Sequence, residues 1–198
     1  MINSKFQFQN VIFHSAYVDT KKIPQIESIP QFAFCGRSNS GKSSLINALC
    51  GRKKLVKVSS TPGKTKEINL FLAEDHFFFV DLPGFGFAKG SHQLRDSMIE
   101  RVNSYLNHSK MLKTIFLLCD SARELPLEEE NIIQTAFKKN IQPVLIRTKF
   151  DKLNQKEIHT LKKKSNEFQK IYPNLKIVFL SVKNSTGLKD IIEIIREK

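Results

Sequence analysis

The sequence predicts an α/β domain in which helices cover both faces of a mostly parallel sheet. Six short apolar runs follow the first thirty residues, and the last three do not alternate with polar residues, which is typical of strands covered on both faces. Helical patterns at about 92–107, 128–139, 154–170 and 187–197 separate the later runs. Alternating strands and helices favour a single sheet of six strands.

The predicted strands are short and mostly aliphatic or aromatic. They cover residues 32–35, 68–72, 77–80, 114–119, 144–146 and 177–180. A turn at 73–76 joins the second and third strands. Pro24 and Pro30 punctuate the chain before the first strand, so we expect residues 1–30 to form an irregular lead-in packed on the domain. Residues 31–198 then form one domain.

Length and composition are those of an ordinary globular domain. The chain has 198 residues, of which 40% are hydrophobic and 26% charged. No stretch approaches the roughly 18 uninterrupted apolar residues of a membrane span, and no secretory signal is visible. Cys35, Cys50 and Cys119 lack metal-ligand spacing and are expected to be reduced core thiols. We therefore expect a monomeric cytoplasmic protein.

The charge balance is strongly basic. Lys and Arg total 32 against 19 Asp and Glu, which gives a formal net charge of +13. This excess favours a polyanionic partner such as RNA or a ribonucleoprotein. The alternative is that the basic residues are spread over solvated faces.

A phosphate-binding loop follows the first predicted strand. It fits the pattern G-x-x-x-x-G-K-[ST] with Gly36, Arg37, Ser38, Asn39, Ser40, Gly41, Lys42 and Ser43. A strand before it and a helix after it aim backbone N–H groups and the helix dipole at one polyphosphate. Lys42 is expected to reach the β and γ oxygens, and Ser43 to hold Mg²⁺. The alternative is a Gly/Ser-rich turn before an ordinary helix.

A second cluster of candidate residues ends the third predicted strand. It comprises Asp81, Leu82, Pro83 and Gly84. An Asp in this place holds Mg²⁺ opposite the loop hydroxyl. Gly84 lacks a side chain, so its N–H can approach a γ-phosphate closely.

The guanine-reading element is predicted after the fifth run. It comprises Thr148, Lys149, Phe150 and Asp151, with Leu180, Ser181 and Val182 supporting the base from its other edge. The carboxylate of Asp151 can accept from both N1–H and the N2 amine of guanine, whereas adenine would leave it unpaired. Lys149 would lay its aliphatic stem along the base plane.

A basic polar stretch between the first helix and the second strand is a predicted surface loop. Its expected nucleotide contacts are Gly63, Lys64, Thr65, Lys66 and Glu67. Either Thr65 or Thr61 can supply a second hydroxyl to Mg²⁺, because spacing alone does not separate the two.

Taken together, these motifs resemble those of the EngB family of ribosome-assembly GTPases, a translation-factor-related class of small GTPases. The likeness covers roughly residues 6 to 195 and is most specific at 36–49, 60–65 and 81–89. It implies a Ras-like P-loop G domain with a six-stranded sheet, GTP and Mg²⁺ binding, and the second magnesium hydroxyl on Thr65. It also implies action in maturing the large ribosomal subunit, with rRNA and ribosomal proteins as partners, and a link to septation.

Two features bear on the expected hydrolysis. Phe85 occupies the position where Ras-like switches carry a water-orienting Gln, so we expect slow hydrolysis by the protein alone. Asn39 stands where related GTPases use an amide oxygen to bind K⁺, and the alternative is an Asn that only tightens the turn. The expected catalytic residues are Lys42, Thr65, Gly84 and Asn39.

The same residues separate this prediction from two rivals. A P-loop nucleotide kinase is disfavoured by the guanine-reading element, and a constitutive RNA-binding protein leaves the nucleotide residues unexplained. We expect RNA contacts from Lys64 and Lys66 and from the basic residues 162–164, for which a solvated helix face is the alternative.

Overall fold

The computed structural model describes residues 7–23, 29–56, 67–85 and 92–197. The strands are β1 Val11–Tyr17, β2 Gln31–Gly36, β3 Ile68–Ala73, β4 Phe77–Asp81, β5 Leu112–Asp120, β6 Gln142–Thr148 and β7 Lys176–Phe179. The helices are α1 Lys42–Leu49, α2 His92–His108, α3 Leu127–Lys138, α4 Gln155–Ile171 and α5 Leu188–Arg196. Short 3₁₀ turns cover Thr20–Lys22 and Phe150–Lys152.

One mostly parallel sheet carries the described strands, in the order β1-β3-β4-β2-β5-β6-β7. The pairs β1–β3 and β3–β4 are antiparallel, and the other pairs are parallel. The predicted fold class is therefore confirmed. The predicted strand count of six is wrong, because the sheet has seven strands within the described part of the chain.

The additional strand is β1, which lies inside the lead-in that we predicted to be irregular. It pairs along β3 from Val11 opposite Ala73 to Tyr17 opposite Ile68. The register shifts between Phe13 and Ser15, and such a bulge interrupts the alternation of side chains by which a strand is recognised. Pro24 and Pro30 both follow this strand in the sequence, so they do not argue against a strand at residues 11–17.

Helices cover both faces of the sheet, as predicted. In β2, Phe32 and Phe34 point to the face covered by α1 and α5, whereas Ala33 and Cys35 point to the face covered by α2 and α3. These residues are all 0% exposed. Successive residues of a strand face opposite sides, so an uninterrupted apolar run is what a strand between two cores requires.

Aromatic rings fill the core on the α1/α5 face. Phe34 stacks on Phe116 of β5 with ring centroids 5.0 Å apart and meets the edge of Phe79 of β4 at 5.6 Å. Phe8 packs edge-on against Phe79 at 5.2 Å, and its N–H donates to the carbonyl of Leu49 over 2.9 Å. The described part of the lead-in thus packs against the sheet and α1. No helix in the described ranges is long and apolar enough to cross a membrane.

Candidate functional site

The loop between β2 and α1 is built around two glycines. A Cβ added at Gly36 would lie 2.5 Å from the carbonyl oxygen of Leu118 in β5, so no larger residue fits without moving the backbone. Gly41 caps α1 with φ of 96°, a conformation that other residues rarely adopt. Lys42 and Ser43 begin α1, and the first N–H groups of a helix point out of its amino end. The geometry is that of an anion-binding loop.

The chain leaving β4 clamps this loop from one side. Ser38 N–H donates to Phe85 O over 2.8 Å, and Phe85 N–H donates to Gly36 O over 3.3 Å. A Cβ at Gly84 would lie 3.4 Å from Ser38 Oγ, which places Gly84 in van der Waals contact with the loop. The predicted γ-phosphate contact and the phosphate loop are therefore neighbours.

Lys42 and Asp81 meet between α1 and β4. Lys42 Nζ forms an ion pair with Asp81 Oδ1, and both side chains are nearly buried. Carboxylate and hydroxyl oxygens are the donors that Mg²⁺ prefers, and proteins usually hold Mg²⁺ through one or two such groups plus substrate phosphates. In the described part of the chain, no three His, Cys, Asp or Glu residues cluster as metal ligands. Asp81 and Ser43 are the residues that could give oxygen ligands to a magnesium ion here.

The end of β6 is tied directly to the phosphate loop. Thr148, which is 2% exposed, donates its hydroxyl to the carbonyl of Ser40 over 2.7 Å. The next residue, Lys149, has a left-handed backbone with φ of 55° and places Nζ 2.8 Å from Asp120 Oδ2 at the end of β5. Burial acts to raise the pKa of Asp120, but the hydrogen bonds from Lys149 and the Ala122 N–H and the nearby positive charges outweigh it and lower the pKa, so this carboxylate stays ionised.

Asp151 is exposed and oriented by the segment after β7. Ser181 Oγ donates to Asp151 Oδ1 over 2.6 Å. Phe150 N–H donates to the carbonyl of Leu180 over 3.0 Å. One carboxylate oxygen is thus engaged by a hydroxyl, which fixes the side chain at the end of the sheet where the phosphate loop also lies.

The structure brings most predicted site residues to this end of the sheet. The side chains of Leu82, Pro83 and Leu180 are buried, so only their backbone can face a nucleotide. Glu67 is exposed immediately before β3. The predicted contacts Gly63, Lys64, Thr65 and Lys66 lie outside the described residues, and so does Thr61. The second magnesium hydroxyl therefore remains a prediction.

Sequence reasoning missed two acidic residues at the site. Asp120 ends β5 and would have been found by the rule that sites follow the carboxyl ends of parallel strands. Glu129 lies in a run of three glutamates that resembles a solvated first turn, yet it is 1% exposed. Its spacing to Ile132, Ile133 and Ala136 places it on the buried face of α3. The helical periodicity of the sequence could therefore have identified Glu129 as buried.

Glu129 lies behind the phosphate loop. It lines a cavity of about 220 Å³ together with Arg37, Asn39 and Lys149. Burial raises the pKa of Glu129 from 4.5 to about 7, while the Cys119 thiol and the nearby guanidinium groups of Arg37 and Arg147 oppose the rise. The carboxyl group is therefore close to its titration point near neutral pH.

Comparison with known proteins agrees with this geometry. The model of the family described as "50S ribosome-binding GTPase" matches residues 31–149. A probable GTP-binding protein EngB from Leptospira biflexa is 40% identical over 196 residues, covering 98% of this chain and 92% of that protein. The chain belongs to the EngB family. A second member, from Clostridium beijerinckii, is 42% identical over 169 residues and 85% of each chain.

Membership of the EngB family makes this chain a GTPase that binds and hydrolyses GTP. Solved structures support the fold. A crystal structure of a probable GTP-binding protein EngB superposes with a TM-score of 0.63 at 24% identity, covering 85% of this chain and 100% of that one. Era in complex with MgGDPNP and a segment of 16S ribosomal RNA gives 0.63 at 24%, covering 86% and 56%.

Replacing Asp151 should change the base that is bound. Asp151→Asn removes one acceptor for guanine, so we expect GTP affinity to fall about 10- to 100-fold and xanthosine triphosphate to become the preferred ligand. Competition against a fluorescent guanine nucleotide measures this. The matched control is Asp190→Asn at an exposed position of α5. Retained preference for GTP in Asp151→Asn would contradict the assignment.

Replacing Glu129 should remove a pH dependence of stability. Because the folded state keeps this proton up to about pH 7 and the unfolded state loses it near 4.5, ionisation destabilises the fold as pH rises through that window. Glu129→Gln should make the free energy of unfolding less dependent on pH in this window. It should also raise the free energy of unfolding at pH 8 by about 1–3 kcal/mol. Urea unfolding from pH 5 to 8 tests it, with exposed Glu167→Gln as control. Parallel curves for wild type and Glu129→Gln would refute it.

Proposed function

We propose that this protein is a GTP-driven switch in the assembly of the large ribosomal subunit, and that it is required for normal septation. The hydrogen bond from Thr148 to Ser40 carries the proposal, because it joins a guanine-reading element to a phosphate loop at one edge of the sheet. Such a site distinguishes GTP from other triphosphates and is sensitive to the γ-phosphate. The ribosomal role rests on the matching family description and on the net charge of +13.

The substrate is GTP, and its terminal phosphoryl group is transferred to water. Water attacks the γ-phosphorus in line, the bond to the β–γ bridging oxygen breaks, and GDP and phosphate leave. Lys42 and the loop N–H groups neutralise charge that builds up on the phosphate oxygens. Ser43, Asp81 and Thr65 would hold Mg²⁺, which supplies further charge neutralisation when bound.

The side chain at position 85 cannot orient the attacking water. Phe85 is 2% exposed and packs in the core on the α2/α3 face, and an aromatic ring neither accepts nor donates the required proton. A partner that supplies the missing group is therefore part of the proposal. Gly84 beside Ser38 would register whether the γ-phosphate is present.

Ribosomal RNA is the proposed polyanionic partner. Residues 162–164 are three exposed lysines on α4, and Lys64 and Lys66 belong to the loop expected to order with GTP. Basic residues on a segment that responds to the nucleotide would make RNA affinity depend on the bound nucleotide.

The partner requirement predicts slow turnover by the protein alone. We expect a rate on the order of 10⁻³ s⁻¹ or slower, rising at least about tenfold with precursors of the large subunit. Phosphate release under multiple turnover measures both, with small-subunit precursors as the control particle. Fast hydrolysis without a partner would overturn the proposal, as would equal binding of the GTP and GDP forms to the precursor at fixed salt.

Potassium is the proposed activating cation. Asn39 lies in the phosphate loop with φ of 65°, and its amide oxygen would bind K⁺ where other GTPases place an arginine. We expect faster hydrolysis in K⁺ than in Na⁺ at equal ionic strength. Asn39→Gly keeps the left-handed backbone but removes the amide, so it should abolish the difference while leaving the Na⁺ rate unchanged. Equal rates in both salts for the wild type would exclude this role.

A further inference from the structure

The lining of a second concave site includes none of the predicted nucleotide-binding residues. This site is a groove of about 480 Å³ between α4 and residues 121–125, with its floor formed by β6 and β7. The volume falls within the usual range for small-molecule sites. We call it the α4 groove.

The interior of the α4 groove is predominantly apolar. Six large hydrophobic side chains line it: Leu125, Leu145, Leu153, Leu161, Phe168 and Ile177. Four of these are only partly buried, so α4 leaves apolar surface facing the groove rather than closing onto the sheet. An apolar ligand would remove this surface from water.

The floor carries two buried polar side chains. Arg147 is 4% exposed and Ser121 is 6% exposed, and both line the groove. The Arg147 guanidinium donates to Cys119 Sγ, Ser121 O and Arg123 O through its terminal nitrogens. Within the described ranges its Nε–H and the Ser121 hydroxyl have no hydrogen-bond partner. Buried donors of this kind are normally satisfied, and an acidic ligand group would satisfy them.

The rim is positive once existing pairs are counted. Lys164 Nζ lies 2.5 Å from Glu124 Oε1, and Glu157 accepts the Asn154 N–H over 2.8 Å within a helix cap. The remaining charged groups that line the groove are Arg123, Arg147 and Lys156. Four basic and two acidic side chains thus line the groove, so an anion placed here meets a net charge of +2.

We propose that the α4 groove binds a small amphipathic carboxylate, with its hydrocarbon part on the leucines and its acid group towards Arg147 and Ser121. RNA is a poor match, because the lining is aliphatic rather than a row of exposed cations. The site is independent of GTP chemistry, yet it adjoins the base-reading element. Arg147 precedes Thr148, and Ser121 N–H donates to Thr148 O over 2.9 Å.

Decanoate tests the proposal, because it has an apolar chain and one carboxylate. Calorimetric titration of the full chain at fixed low salt should show one saturable site. Decan-1-ol should bind at least about tenfold more weakly, since it lacks the charge that the rim and floor recognise. Absence of saturable decanoate binding, or equal affinity for the alcohol, would overturn the assignment.

Variants locate the binding to the groove. Ser165→Phe adds a ring at a lining position of α4 and should weaken decanoate at least about tenfold. Lys164→Gln leaves Glu124 uncompensated at the rim and should weaken it about two- to fivefold. Lys163→Gln is the matched control, because this exposed neighbour does not line the groove. Guanine-nucleotide affinity verifies the fold of each variant. Decanoate affinity unchanged in Lys164→Gln and in folded Ser165→Phe, or reduced equally by Lys163→Gln, would refute the site.

Discussion

A single buried hydrogen bond sets the geometry of the nucleotide site. The Thr148 hydroxyl reaches the carbonyl of Ser40 across 108 residues of sequence, so the end of β6 and the phosphate loop cannot move apart without breaking it. Both residues are almost fully buried, where an unsatisfied carbonyl is costly. The distance between the phosphate-binding loop and the predicted base-reading element is thereby restrained by the fold.

The surrounding strands impose a second constraint on the loop. β5 lies against Gly36 on one side, and the chain leaving β4 bonds to Ser38 on the other. Main-chain contacts hold the loop, and the side chain of Lys42 pairs with Asp81 at the end of β4. A loop held in this way presents its N–H groups with little reorganisation, and preorganised dipoles are the main source of electrostatic stabilisation in phosphoryl transfer.

Much of the fold and the local motifs could be predicted from sequence, because apolar runs and helical spacing reflect the two cores directly. The phosphate loop and Asp81 follow from one rule about strand ends. β1 was missed because its bulge breaks the alternation. The pairing of Thr148 with Ser40 and the approach of Glu129 to Arg37 depend on contacts between residues far apart in the chain. Local pattern carries no information about such contacts.

The position of β1 has a consequence for how the protein behaves in solution. Among the described strands it is the outermost on its side of the sheet, and Ile12 and Phe13 on it are 51% and 57% exposed. The unpaired backbone groups of an edge strand can form hydrogen bonds with the same strand of another copy. The net charge of +13 makes copies of the protein repel one another. At high salt the screening length falls to about 3 Å, and this repulsion becomes weak. We therefore expect high salt concentrations to favour self-association through this strand.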